Sequence, residues 1–259
     1  GKTGAAALAA GGALRSGVGL VTVATAASQQ PVIAGLVVEA MTAALPETAA
    51  RSVAFKAVDA IAELAAGRDA GAIGPGLGLD ADTQALAREL VRTLDVPLVV
   101  DADALTALAG HLEVLDAAPA PRCLTPHPGE MARLLGTTVS EVERDRVGVA
   151  RCLATEHRVY VVLKGGGTVS ATPAGEVYIN PTGNPGMASG GTGDVLTGMV
   201  GAFLARGLPP VAALQTAVYV HGRAGDLAAA RVGQEALIAS DVIAALPAAL
   251  IELQSRHGG

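Results

Sequence analysis

The spacing of apolar residues along the chain predicts helices alternating with short strands. Helical periodicity, or a run rich in Ala and Leu, indicates helices at 4–17, 82–94, 130–136, 140–157, 194–206, 210–231 and 239–254. Short apolar runs bounded by Gly, Pro or acidic residues indicate strands at 20–24 and within 69–78, 96–105, 121–130 and 158–165. Residues 168–180 have the pattern of a β-hairpin that turns at Pro173-Ala174-Gly175.

This alternation predicts one α/β domain over residues 1–259, with a mostly parallel sheet covered by helices on both faces. Ligands of such sheets bind at the carboxyl ends of the strands, where this chain places its Gly-rich and acidic segments. The chain opens in a loop and a helix, whereas an α/β domain normally opens with a strand. We therefore expect an N-terminally truncated domain without its first strand, and an edge or a gap in the sheet at that place.

The composition of the chain indicates how its core is packed and argues against several kinds of partner. Hydrophobic residues make up 51% of the chain, but aromatic residues only 2%, so the core must be closely packed Ala, Val and Leu. A net charge of -6 without a basic cluster argues against nucleic acid as a partner. Cys123 and Cys152 form neither a disulfide framework nor a metal-binding spacing. No apolar run reaches the roughly 18 residues of a membrane span, so we expect a cytoplasmic protein without a membrane partner.

The glycine-rich segment 184–198 runs directly into a predicted helix and contains one acid, Asp194. Backbone N–H groups of such a loop, with the positive end of the helix dipole, favour binding of a phosphate. A carboxylate beside phosphates is repelled by them, so its presence indicates a base that accepts a proton from a hydroxyl next to the phosphoryl group. The alternative is that Asp194 is only the helix N-cap.

Other chemistry-bearing residues follow predicted strands. Lys164 ends a strand before three glycines, which favours a phosphate contact; the alternative is a solvated turn lysine. Asp101 and Asp103 could hold Mg²⁺ through waters or cap the next helix. His127, fixed between two prolines, is a candidate ligand contact, with a surface loop as the alternative. His221 is expected to line a helix interface.

A resemblance to the NAD(P)H-hydrate dehydratase family, within the ribokinase-like superfamily, rests on motifs spread over nearly the whole chain: TGAAALAAGGALRSGVGLVTVAT, GPGLG, VVDADAL, LTPHPGE, VVLKGGGTV, NPTGNPGMASGGTGDVLTGM and AVYVHGRAGDLAA. LTPHPGE and NPTGNPGMASGGTGDVLTG, in this order, are the most specific. The resemblance implies a ribokinase-like three-layer αβα sandwich. It also implies a repair enzyme that removes water from the S epimer of hydrated NADH or NADPH, with ADP or ATP as co-substrate and Mg²⁺.

Site residues follow from the same resemblance. Asp194 is expected to be the catalytic acid or base at the hydrate hydroxyl and to contact the dinucleotide. The other expected substrate contacts are Ala5, Gly76 and His127. The expected nucleotide-binding residues are Lys164, Gly165, Gly166, Gly167, Thr168, Gly190, Gly191, Thr192 and Gly193. Glu130 is the candidate residue for the metal region.

Two rival functions stay open at this point. A ribokinase-like vitamin-precursor kinase would use Asp194 in the same way but phosphorylate a stable alcohol; such kinases often carry Asn at the position of His127. A nucleotide-binding module without turnover is the second rival, although a pure binder gains nothing from a repelling carboxylate. The resemblance further implies a homo-oligomer and an epimerase as a partner domain or protein.

Overall fold

The computed structural model describes residues 2–255 and shows eleven α-helices and eight strands there. The helices are α1 Thr3–Leu14, α2 Gln30–Leu36, α3 Val58–Ala65, α4 Ala81–Thr93, α5 Ala102–Leu108, α6 Pro128–Leu135, α7 Val139–Arg144, α8 Arg146–Glu156, α9 Thr192–Ala205, α10 Pro210–Val232 and α11 Ala239–Ser255. The strands are β1 Thr22–Ala26, β2 Met41–Leu45, β3 Gly71–Ile73, β4 Leu98–Val100, β5 Arg122–Leu124, β6 Tyr160–Leu163, β7 Val169–Ala171 and β8 Val177–Ile179.

The main sheet has six strands in the order β3-β4-β5-β6-β7-β8. The pairs from β3 to β6 are parallel, whereas β6-β7 and β7-β8 are antiparallel. The parallel strands are three or four residues long, and β4, β5 and most of β6 are buried. Their carboxyl ends therefore lie along one edge of the sheet, which is where the candidate chemistry is expected.

Alternating side chains of the central strands enter two separate apolar cores. Val100 of β4 and Leu124 of β5 belong to the core under α4, α5, α6 and α8. Val99, Cys123 and Val162 belong to the core under α9, α10 and α11. Because neighbouring residues of a strand point to opposite faces, each central strand supplies both cores, and the result is the predicted αβα sandwich.

The sheet is divided near the start of the chain. β1 and β2 form a separate parallel pair. A mainly apolar, partly open pocket of about 350 Å³ lies between residues of β1 and β3 and is lined by α1, α4 and α9. This division agrees with the gap that the sequence predicts.

Helices α1 and α9 are in direct backbone contact. A Cβ atom on Gly198 would lie 1.8 Å from the Ala9 carbonyl oxygen, and one on Gly12 would lie 2.4 Å from the Val195 carbonyl oxygen. Neither position has room for a side chain, so glycine is required for close approach rather than for flexibility. The contact fixes α9 against α1.

Most predicted elements are confirmed with shifts of a few residues. The hairpin that turns at Gly175 and the three long C-terminal helices are present. The single helix predicted over 140–157 was wrong, because Asp145 leaves the helical conformation and its side chain instead accepts a hydrogen bond from Gly148 N. The predictions did not include α2, β2 and α3, which are only five to eight residues long. The apolar residues Val58, Ile61 and Leu64 of α3 have helical spacing and could have indicated that helix.

Within residues 2–255, no helix has both the length and the apolar character needed to span a membrane.

Gly198→Ala should destabilise the protein by about 3 kcal/mol or more, because the added methyl group forces α1 and α9 apart. Gly201→Ala is the matched control on the same helix: its new Cβ would lie 3.9 Å from Ala72 Cβ, an ordinary contact, so it should be neutral or slightly stabilising. Urea unfolding of both variants checks this. Equal stabilities would show that the close contact is not rigid.

Candidate functional site

Four charged side chains meet at the carboxyl edge of the sheet. Asp101 follows β4, Lys164 follows β6, Glu130 lies in the first turn of α6, and Asp194 lies in the first turn of α9. Lys164 Nζ lies 2.7 Å from Asp101 Oδ1 and 3.7 Å from Glu130 Oε2. The carboxylates therefore outnumber the single ammonium group in this cluster.

The glycine-rich loop ends at Gly191, which is the N-cap of α9 and has a positive φ of 94°. The next residue is held firmly, because the Thr192 hydroxyl donates to the Met187 and Ser189 carbonyls at 2.7 and 3.0 Å. On the opposite side, Nε2 of the buried His221 lies 2.9 Å from the Thr192 carbonyl. Burial lowers the pKa of His221 to about 4, so the ring is neutral at neutral pH and donates this bond. His221 thus lines a helix interface, as expected.

Asp194 is the third residue of α9 and not its N-cap, so the capping alternative was wrong. Its pKa is raised to about 6, first because burial disfavours the charged form and second because of the Asp101 carboxylate, while Lys164 opposes the shift. A carboxyl group with this pKa is a better proton acceptor than an ordinary aspartate and is still mostly ionised at neutral pH.

Lys164 is not the solvated turn lysine of the alternative interpretation. Its side chain is only 18% exposed and forms the short ion pair with Asp101. A Cβ atom on Gly193 would lie 3.3 Å from Lys164 Nζ, so the ammonium group lies against the first turn of α9. The structure thus brings Lys164 and the glycine-rich loop together, although they are far apart in sequence.

Residues 165–168 form the turn between the antiparallel strands β6 and β7. Gly165, Gly166 and Gly167 are exposed, and the Thr168 hydroxyl donates to the Gly165 carbonyl at 3.0 Å. Beneath the turn, Arg146 Nη2 donates to the Leu163 and Lys164 carbonyls at 3.1 and 3.2 Å. Arg146 was missed by the sequence reasoning, which had placed it in the middle of one long helix.

His127 is the N-cap of α6 and forms a capping box with Glu130. Its Nδ1 accepts from Gly129 N at 2.9 Å and Glu130 N at 3.3 Å, and its own N donates to Glu130 Oε2 at 2.8 Å. The ring is exposed, and its Nε2 atom lies 3.6 Å from Glu130 Oε1. His127 is therefore an exposed residue that the capping box holds at the start of α6, which is compatible with the surface-loop alternative; its contact with a ligand stays a prediction.

The remaining predicted residues lie on a second side of the site. Ala5 is in the first turn of α1. Gly76 has a positive φ of 69°, and a Cβ atom there would lie 2.5 Å from the Lys2 carbonyl oxygen. Lys2 Nζ in turn lies 3.1 Å from Asp103 Oδ1. The close approach that requires glycine at this position is thus to the start of α1.

The structure does not support Asp101 and Asp103 as a metal centre. Asp101 accepts from Lys164 and Thr197, and Asp103 accepts from Lys2 and from Gly78 N. Asp101 is the N-cap residue of α5, as the capping alternative expected, but its side chain forms no capping hydrogen bond with that helix. Within residues 2–255 there is no cluster of three or more His, Cys, Asp or Glu side chains that could hold a metal ion.

Comparisons with known proteins identify the family and the fold of the chain. A family model for NAD(P)H-hydrate dehydratases matches residues 1–248. The chain is 49% identical over 254 residues to the bifunctional NAD(P)H-hydrate repair enzyme of Moorella thermoacetica, and the match covers 98% of this chain and 48% of that protein. The chain therefore spans about half the length of this relative.

Two solved structures are similar over almost the whole chain. The ADP/ATP-dependent NAD(P)H-hydrate dehydratase of Bacillus subtilis, co-crystallised with ATP and Mg²⁺, has a TM-score of 0.81 at 33% identity, covering 97% of this chain and 85% of that one. A ribokinase-like superfamily protein of Enterococcus faecalis has a TM-score of 0.79 at 28% identity, covering 96% and 82%. The chain therefore belongs to the NAD(P)H-hydrate dehydratase family and has a ribokinase-like fold.

Proposed function

We propose that this chain catalyses the nucleotide-dependent dehydration of the S epimer of hydrated NADH or NADPH, coupled to hydrolysis of ADP or ATP. The observation that carries the proposal is the position of Asp194. It places a partly buried carboxyl group with a pKa of about 6 in the first turn of α9, beside the Lys164 ammonium group. A base and a phosphate-binding cation thus face the same small volume.

The nucleotide lies between the β6-β7 turn and the start of α9. Lys164 contributes its charge, and residues 165–168 and 190–193, six of which are glycines, offer backbone N–H groups. The positive end of α9 favours the phosphates. The hydrated dinucleotide approaches from the side of Ala5, Gly76 and His127, and His127 Nε2 is available to it.

Asp194 accepts the proton of the hydrate hydroxyl while the terminal phosphoryl group of ADP or ATP is transferred to the same oxygen, with AMP or ADP as the leaving group. The carbon–oxygen bond then breaks, and the oxygen leaves as part of inorganic phosphate. Loss of a proton from the neighbouring carbon restores the dihydropyridine ring. Holding base, hydroxyl and phosphoryl group in one place is the main contribution of this site.

Mg²⁺ fits this arrangement only as a partner of the nucleotide. Mg²⁺ commonly keeps several waters and binds through one or two carboxylates together with substrate phosphates, and it neutralises phosphate charge. Glu130 would be the protein ligand closest to the metal–nucleotide complex, although one of its oxygens already accepts from His127 N. The surplus of carboxylates around Asp194 also favours a cation.

The rival functions are less well supported. A vitamin-precursor kinase would have the same base, but the family model and the relatives favour the dehydratase. A pure nucleotide-binding module does not explain a carboxyl group with a raised pKa at an anion site. The assignment of residues 1–259 to one domain, the homo-oligomer, the cytoplasmic localisation and an epimerase partner stay predictions; the last fits the bifunctional relative.

Asp194→Asn should abolish the dehydration, with a loss of about a hundredfold or more, because the amide cannot accept the proton. The measurement is the near-ultraviolet absorbance of restored NADH, with ADP, with ATP and with neither. Asp82→Asn, an acid in the first turn of α4 away from the site, is the matched control and should keep full activity. Phosphorylation of an added alcohol without return of NADH would favour the kinase instead.

The activity should fall as the pH drops through about 6, because Asp194 must be ionised to accept a proton. A pH profile of kcat/KM at saturating nucleotide measures this. A profile that stays flat down to pH values well below 6 would contradict the assignment of Asp194 as the base.

Asp194→Asn should also stabilise the protein at neutral pH. The native pKa of about 6 exceeds the ordinary value of 3.8, so the native state keeps a proton that the unfolded state has lost, and the free energy of unfolding falls as pH rises through this window. Above it, we expect a gain of about 1 kcal/mol after allowing for partial exposure, and below the window none. Denaturant unfolding at both ends of the window measures the difference, and equal stabilities would contradict the raised pKa.

A further inference from the structure

Asp101 is a buried carboxylate whose only effect described so far is to raise the pKa of Asp194. The residue is 1% exposed. One oxygen accepts from Lys164 Nζ at 2.7 Å, and the other accepts from the Thr197 hydroxyl at 2.6 Å. Lys164 follows β6 and Thr197 belongs to α9, so one carboxylate at the end of β4 connects both elements that build the candidate phosphate site.

The location of Lys164 requires such an anion. Its ammonium group lies against Gly193, in the first turn of α9. The N-terminal end of a helix carries a partial positive charge, which disfavours a cation at this point. Asp101 supplies the compensating charge at 2.7 Å, whereas the second acid, Glu130, is farther away at 3.7 Å. Asp101 is therefore the closer counter-charge of Lys164.

The second oxygen of Asp101 fixes the helix. Thr197 is fully buried, and its hydroxyl also lies 3.2 Å from the Gly193 carbonyl oxygen, one turn earlier. The bond to Asp101 thus restrains the turn of α9 that carries Asp194. Lys164 and Thr197 are held by the same carboxylate, so their separation is determined by its geometry.

The backbone around Asp101 allows little adjustment. Its N donates to the Ile73 carbonyl at 3.0 Å, and a Cβ atom on Gly74 would lie 1.8 Å from its carbonyl oxygen. The next residue, Ala102, has a φ of 48°, a conformation that L-residues rarely adopt. Strained backbone of this kind persists only where the surroundings hold it firmly.

We propose that Asp101 is a positioning residue of this site: it sets the distance between the Lys164 ammonium group and the first turn of α9, and so the place of the nucleotide phosphate relative to Asp194. The inference rests on the proposed function for its catalytic consequence. The arrangement of Lys164 and α9 itself does not depend on that function and is testable without it.

A double-mutant cycle tests the catalytic consequence. At a pH well above 6, where Asp194 is ionised in every variant, Asp101→Asn should lower kcat/KM for the nucleotide about tenfold or more. The amide removes the counter-charge of Lys164, while its oxygen can still accept from Thr197. When Asp101→Asn is made in the Lys164→Met variant, the further loss should be less than about twofold. Asp103→Asn is the matched control: it removes a partly buried carboxylate two residues away whose partner is Lys2. The loss of kcat/KM caused by Asp103→Asn should be the same with and without Lys164→Met, so that the two losses multiply in the double variant. If the losses caused by Asp101→Asn and Lys164→Met also multiply in their double variant, the proposal is overturned.

Nuclear magnetic resonance of the lysine side chains tests the arrangement independently of activity. The chain has three lysines, at 2, 56 and 164, so each signal can be assigned by substitution. Asp101→Asn should shift the Lys164 side-chain signal, whereas Asp103→Asn should shift the Lys2 signal. An unchanged Lys164 signal in folded Asp101→Asn would overturn the proposal. If the wild type shows no dehydration but the Lys164 signal responds as expected, the positioning role stands and the proposed function fails.

Thr197→Val covers the case in which Asp101→Asn does not fold. Valine has the shape of threonine but lacks the hydroxyl, so this variant loses the bond to Asp101 and the longer contact with the Gly193 carbonyl. We expect kcat to fall severalfold with the Lys164 signal unchanged, because α9 is released while the ion pair stays. A wild-type kcat in this variant, confirmed as folded by its amide spectrum, would overturn the proposal.

Discussion

The direct backbone contact between α1 and α9 is the constraint on which the site depends. Gly12 and Gly198 leave no space for a side chain between the two helices. An Ala-rich chain with 2% aromatic residues gains its stability from such close packing, because it has few large side chains to fill space. The contact fixes the position of α9 over the sheet, and with it the position of Asp194.

The fixed helix explains the electrostatics of the site. The N-terminal end of α9 and Lys164 provide positive charge, while Asp101, Glu130 and Asp194 provide negative charge. Burial strengthens each of these interactions, since water screens them less. The result is a carboxyl group with a pKa raised to about 6 beside the candidate phosphate site. A carboxyl group that accepts a proton and a positively charged site that attracts phosphate are useful together when one hydroxyl must lose a proton and receive a phosphoryl group.

Much of this site was predictable from the sequence because its parts are local. A glycine-rich loop before a helix has backbone N–H groups to offer wherever it occurs, so the loop before Asp194 was identified. The same holds for Lys164 at the end of a strand, and for the fixed backbone of His127 between prolines. The exact place of Asp194 in the helix was not predictable, because N-cap and first-turn positions differ by three residues and both favour acids.

The sequence by itself determined the order of helices and strands, the three-layer fold and the loops that carry the chemistry, because periodicity and turn residues are local signals. Only the tertiary structure decided which charges meet. Asp101 and Lys164 are 63 residues apart, and Asp101 and Thr197 are 96 apart. These two contacts depend on the order of the strands in the sheet and on how closely α9 packs against it, and no local sequence pattern encodes either. For the same reason Asp101 was first interpreted as a metal ligand or a cap, and Arg146 and Thr197 were missed.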